Sequence, residues 1–187
     1  MASHSDPVTH DDRLIAGFAA LAVVIHVLEA AFPSPIPGVK PGLANVINLI
    51  VLLRYSWRAT LWVGGLRVLV GSLLVGSFMA PGFWLSAGGA VCSLLALGLG
   101  LLWNRRVPRL SLSAVGLALL SSCAHMGGQF AVAYGWFVPH PGLLRLLPVL
   151  LSAAVVFGLF SGLIAAAVLR RMELASPRVA PDTGSHV

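Results

Sequence analysis

LLRLLPVLLSAAVVFGLFSGLIAAAVLR, residues 143–170, carries no charged side chain between Arg145 and Arg170. A surface helix of a soluble domain keeps one polar face, and this run keeps none. A hydrocarbon core roughly 30 Å thick takes about 20 apolar helical residues to cross, so the stretch is long enough to span a bilayer. Ala154, Gly158, Gly162 and Ala166 recur along it at four-residue spacing. Such a stripe of small side chains lets a neighbouring helix approach closely in lipid.

Similar blocks fill the chain towards its start. The reading places helices at about 13–32, 42–56, 59–79, 83–103, 111–138 and 143–170. Pro41 suits the first turn of the second, where the missing N–H costs nothing, while Pro81, Pro108, Pro139 and Pro141 interrupt the later blocks. Of the 187 residues 58% are hydrophobic and only 10% charged, against roughly a quarter charged in a soluble domain. The expected fold is therefore all-α: one six-helix transmembrane bundle over 13–171, between a polar N-terminal tail, 1–12, and a disordered C-terminal tail, 172–187. Asp6, Asp11 and Asp12 make a poor signal-peptide n-region, so the first apolar block is read as a retained helix.

The net charge of +6 does not point to nucleic acid, because the basic residues are scattered at the ends of the apolar blocks. With both termini inside, Arg13, Arg54, Arg58, Arg105, Arg106, Arg109, Arg170 and Arg171 fall on the cytoplasmic side, and only Lys40 and Arg145 fall outside. The positive-inside tendency favours that N-in, C-in orientation in an inner (plasma) membrane. Cys92 and Cys123 both lie in apolar blocks and read as two free thiols.

Ionisable groups inside a membrane are costly and need a partner or a task. His26 and Glu29 share a face of the first helix, Asn45 and Asn48 one of the second, and His125 and Gln129 one of the fifth. Arg67 lies too deep in the third helix to be a terminal anchor. Two readings stand side by side. In one, Glu29 pairs with Arg67 or Lys40 and the amides and imidazoles knit helices together. In the other, these groups line an outward-facing polar cavity for a small ligand, with Arg67 or Lys40 meeting an anionic group. His26 and His125 lack the supporting cluster of a metal or haem site, and the chain is read as holding no resident metal or cofactor. No closely spaced Asp pair is read on a helix facing a cavity, as magnesium–diphosphate chemistry would need, because Asp11 and Asp12 fall in the N-terminal tail; with no phosphate loop either, the chain is read as a non-enzyme.

Three segments together carry a resemblance: HVLEAAFPSPIPGVKPGLANVINLI, LRVLVGSLLVGSFMAPGFWLSAGGAVCSLLALGL and VGLALLSSCAHMGGQFAVA. They resemble the Gx transporter family, also labelled heptaprenyl diphosphate synthase component I. That resemblance implies a relation to the substrate-binding S components of energy-coupling factor transporters. Those are six-helix proteins that work with a transmembrane coupling subunit and two ATPases. Two positions depart from the family pattern: Met126 stands where an amide is expected in HMGGQ, and Pro41 follows Lys40.

On this reading the protein captures a vitamin- or cofactor-like molecule from the outer face. His26, Glu29, Lys40, Asn45, Asn48, Arg67, His125 and Gln129 line or organise the site. The connector carrying Pro35, Pro37, Gly38 and Lys40 is its lid, and Ala16 with Ala20 the implied docking face for the coupling subunit. The alternative is a non-catalytic accessory subunit of an isoprenoid, quinone or flavin-handling membrane complex.

Overall fold

The computed structural model describes residues 10–31 and 45–175. Its elements, in chain order, are α1 (His10–Ala31), α2 (Asn45–Arg54), α3 (Trp57–Leu74), α4 (Pro81–Arg106), α5 (Ala114–Val132), a short α6 (Pro141–Leu144) and α7 (Leu147–Ala175). A 3-10 turn, Pro108–Leu110, precedes α5, and a π-helical turn, Ala133–Phe137, extends it.

Local chemistry accounts for where these helices begin and stop. Ser56 caps α3 by accepting a hydrogen bond from the Ala59 amide at 3.1 Å, and Ser113 caps α5 through the Gly116 amide at 3.3 Å. The third helix therefore starts at Trp57, and α2 ends at Arg54, before the expected 56. The expected end of α3 at 79 is also too late. Gly76 takes φ +71° and Met79 φ 62°, left-handed backbone that no α-helix continues through. The expected last helix, 143–170, is divided: α6 ends at Leu144 and α7 begins at Leu147. Pro148 explains the break, since it fits a first turn and cannot accept an earlier one running into it. At its far end α7 runs on to Ala175, and α1 starts at His10. The proposed Pro41 start of the second helix lies outside the described residues.

The inner helix is α2. It packs on α1, α3, α5 and α7, and Asn45 to Leu52 are all buried. Around it α4 and α5 form one tight pair, α5 and α7 another, and α1 with α3 a third. At the α4–α5 crossing a Cβ on Gly128 would stand 2.6 Å from the Gly88 carbonyl oxygen and 2.8 Å from Cys92 Sγ. The small stripe of α7 lies on α5: a Cβ on Gly162 would come 2.7 Å from Val115 Cα, and one on Gly158 2.9 Å from Ser122 Cβ. Ser122 Oγ also donates to the Ala154 carbonyl at 2.7 Å. Cys92 and Cys123 are unbonded thiols.

The bundle is inverted relative to a soluble protein. Leu95, Leu99, Phe160 and Leu163 are more than half exposed, while His26, Glu29, Asn48, Arg67 and Gln129 are buried. An apolar exterior over a polar interior is the arrangement hydrocarbon selects. Among the described residues four stretches are long and apolar enough to cross a bilayer: Asp12–Ala31, Pro81–Arg106, Ala114–Phe137 and Pro141–Leu174. The described residues are those of an all-helical membrane protein. Of the two remaining expected spans, α2 has 10 residues, and α3 has 18 but carries Arg58 and Arg67.

Candidate functional site

The alternating direction of the helices puts the end of α1, the start of α2, the end of α3, the start of α4 and the end of α5 at one end of the bundle. The buried polar residues gather there. Arg67 Nη1 donates to Asn45 Oδ1 at 3.0 Å, which joins α3 to α2. Because that bond fixes the amide oxygen towards the guanidinium, Asn45 Nδ2 faces the other way. The Glu29 carboxylate on α1 lies within electrostatic reach of Arg67, and His125 on α5 lies within reach of both Arg67 and His26. Five of the expected residues, from four helices, thus form one connected group.

Asn48 and Gln129 extend this group. Asn48 lies a turn below Asn45 on α2, against Gly64 of α3, where a Cβ would meet its Nδ2 at 3.3 Å. Gln129 lies a turn beyond His125, and both rest on Gly89 of α4. Lys40 and the expected lid residues Pro35, Pro37 and Gly38 lie outside the described residues. Ala16 and Ala20 are exposed on α1, beside the open Gly17, well away from the polar group.

Glycine decides where these side chains can lie, and the sequence reading missed it. A Cβ on Gly71 would stand 2.6 Å from His26 Cδ2, and one on Gly89 2.8 Å from both Gln129 Cγ and His125 Cε1. Each glycine provides a bare patch of backbone on which a polar side chain lies flat. A usable signal was present on α3, since Gly64, Arg67 and Gly71 recur at helical spacing. Buried Ser93 and Ser121 were also missed; their hydroxyls meet at 2.7 Å between α4 and α5.

Several atoms of the group have no hydrogen-bond partner among the described residues: Asn45 Nδ2, both polar atoms of Asn48, Arg67 Nε and His125 Nδ1. All four side chains are buried. A buried polar atom left without a partner costs about 1–3 kcal/mol, and native interiors leave few of them. Here they are concentrated in one place, with donors outnumbering acceptors. Such an array can hold a small molecule that presents oxygen acceptors together with at least one donor. Among the described residues no group of three His, Cys, Asp or Glu is placed to hold a metal ion.

Replacing Gly89 by Ala tests whether the bare backbone matters. The methyl group would push the His125 ring and the Gln129 stem from their positions. Gly89→Ala is expected to lower retention of a bound molecule about tenfold and, by crowding two buried side chains, to lower the thermal midpoint as well. Native mass spectrometry and thermal unfolding on the same preparation check both.

The family model described as heptaprenyl diphosphate synthase component I matches residues 18–168, a range that holds every residue of this polar group. No curated protein and no solved structure matches the chain.

Proposed function

The chain belongs to the heptaprenyl diphosphate synthase component I family, and from that premise we propose that it is a non-catalytic, ligand-binding membrane protein, built like the substrate-binding component of an energy-coupling factor transporter. It captures a vitamin- or cofactor-like molecule, and reorientation driven by partner subunits releases it inward. The observation that carries this reading is the cluster of unpartnered atoms on Asn45, Asn48, Arg67 and His125. Arg67 and Asn45 do pair, but plain helix-to-helix adhesive would have satisfied the remaining atoms as well, and among the described residues it does not. Glu29 lies within electrostatic reach of Arg67 and opposes its charge, and the site is buried, so a neutral carbonyl-bearing ligand suits it better than a multiply charged diphosphate.

In this proposal all six apolar segments cross the inner membrane, α2 and α3 being held by the four longer helices. Both termini face the cytoplasm, with the Arg-rich helix ends. The polar group opens outward under the 33–45 connector, with Pro35, Pro37, Gly38 and Lys40 forming the lid. Exposed Ala16 and Ala20 give a coupling subunit a close approach to α1.

A second reading, an accessory subunit of an isoprenoid, quinone or flavin-handling complex, is favoured by the family description, which names a component of a synthase. Purification in mild detergent followed by native mass spectrometry separates the two. A retained small molecule together with a coupling protein and ATPases supports transport. A copurifying prenyltransferase or redox subunit supports the accessory role. Magnesium-dependent prenyl transfer by the purified chain alone would sink both.

A further inference from the structure

Between α4 and α5, at the end of the bundle opposite the polar group, a hollow of about 450 Å³ opens on the surface. Leu99, Gly100 and Trp103 of α4 form one wall, Leu110 and Leu112 of the connector the rim, and Leu120 of α5 the other wall. Gly100 is buried at its floor, where a Cβ would stand 2.6 Å from Leu117 Cδ2. The rim is held in place by side chains. Asn104 brackets Leu112, donating from Nδ2 to its carbonyl at 2.9 Å and accepting at Oδ1 from its amide at 2.6 Å. Trp103 Nε1 donates to the Leu110 carbonyl at 3.1 Å. The connector cannot fold into the hollow without breaking these three bonds, so the hollow is preformed.

The charge at its mouth has one sign. Leu99, Trp103 and Arg106 recur at helical spacing and share a stripe of α4, and Arg109 precedes Leu110 in the 3-10 turn. Both arginines are exposed. No aspartate or glutamate occurs between Glu29 and Glu173, so α4, the connector and α5 carry none. Asp12 belongs to α1, which packs on α2 and α3. Glu173 stands three turns beyond Gly162, the α7 residue that meets Val115 at the start of α5, and so about 16 Å further along the axis.

We propose that this hollow is a site for an anionic phospholipid, with one acyl tail along Leu99, Trp103 and Leu120 and the phosphate on Arg106 and Arg109. Guanidinium groups take phosphate oxygens through paired, charge-assisted hydrogen bonds, and basic pockets between helices at the membrane surface select acidic heads. An ethanolamine head would bring a cation back against the two arginines. The tail requirement comes from the hollow itself. Its one side-chain donor, the Trp103 indole, is already bonded to Leu110, so it offers a soluble anion nothing, whereas an aliphatic chain fills it with dispersion contacts. This site lies apart from the buried polar group, in which Arg106 has no role, and does not depend on the ligand there.

The test uses the full chain in mild detergent, titrated with phosphatidylglycerol and phosphatidylethanolamine of identical acyl composition and read by native mass spectrometry. The wild type is expected to retain the first phosphatidylglycerol about 25-fold more strongly, since each basic side chain beside an acidic head contributes about fivefold. Arg106→Gln and Arg109→Gln should each lower that preference about fivefold, and the double variant should abolish it. Arg105→Gln removes the same charge from the side of α4 where Gly98 faces Trp57, and should leave the preference in place. Leu99→Trp and Leu110→Trp, at exposed positions on the wall and the rim, should each cut retention of phosphatidylglycerol roughly tenfold with an unchanged thermal midpoint in the lipid-free protein. Equal retention of the two lipids by the wild type would mean annular lipid only and overturns the proposal. An equal loss in Arg105→Gln would mean a diffuse field with no site, and also overturns it. Unaltered retention by both Trp variants overturns the hollow. Full displacement by an equal concentration of glycerol 3-phosphate overturns the lipid in favour of a soluble anion.

Discussion

Arg67→Ala is expected to abolish retention of the small molecule, while Arg106→Ala leaves it intact. Arg67 is buried to 2% exposure and supplies the hydrogen bond that holds Asn45. Its removal takes away the unpartnered Nε, frees Asn45 to rotate, and leaves Glu29 without the charge that offsets it. A charge-assisted hydrogen bond contributes about 1.5–3 kcal/mol, which alone lowers affinity about 10- to 100-fold. The disordered cluster adds to that. Arg106 ends α4 at the opposite end of the bundle and touches none of this.

Arg67→Ala also loosens the fold, so a second variant is needed to separate binding from stability. Asn48→Ala serves. Among the described residues its amide meets no partner at either polar atom, and removing it relieves an unsatisfied buried group. If Asn48 only joined helices, the variant would melt earlier and bind as before. At a ligand site the signs reverse: the thermal midpoint of the ligand-free protein holds or rises, and retention falls about tenfold. Earlier melting with unchanged retention would count against the site.

The second large effect is structural. Gly128→Val is expected to separate α4 from α5 and to lower stability by about 2–4 kcal/mol, the upper range for overpacking a tight contact. The obstruction is the Gly88 carbonyl oxygen, 2.6 Å from the new Cβ, which is backbone and cannot rotate aside. The neighbouring Gly127 provides the control, because a Cβ there meets nothing within 4 Å. Gly127→Ala removes a poor helix former and should be neutral or stabilising. Thermal unfolding in detergent, followed by helical circular dichroism, distinguishes the pair. Equal midpoints for the two variants would mean that the α4–α5 crossing is looser than the structure has it.

Much of the polar group was legible in the sequence because helical spacing is a local property. His26 with Glu29, Asn45 with Asn48, and His125 with Gln129 each share a face by separation alone, and Arg67 stands out as a charge among apolar neighbours. Their convergence from different helices was not legible. It depends on which helix neighbours which, and nothing in a single sequence puts α2 against four others. Gly71 and Gly89 were overlooked for the same reason, since a glycine beneath a histidine is a tertiary fact. Helix ends were misjudged where caps and left-handed residues act, at Ser56, Gly76 and Ser113. The division before α7 was missed because Pro148 lies within an otherwise unbroken apolar run.

The position of α2 separates the order of synthesis from the order of packing. The described part of α2, Asn45–Arg54, reaches about 15 Å, half of a hydrocarbon core of roughly 30 Å, and it packs on four other helices. Its burial needs α5 and α7, and α7 is made last. Asn45 and Asn48 find their interior on the α3 side, at Arg67 and Gly64. The opposite side of the second helix is closed only by the last, and a chain stopped before α7 would leave Val46 and Ile50 without Ala165 and Val168 to pack on.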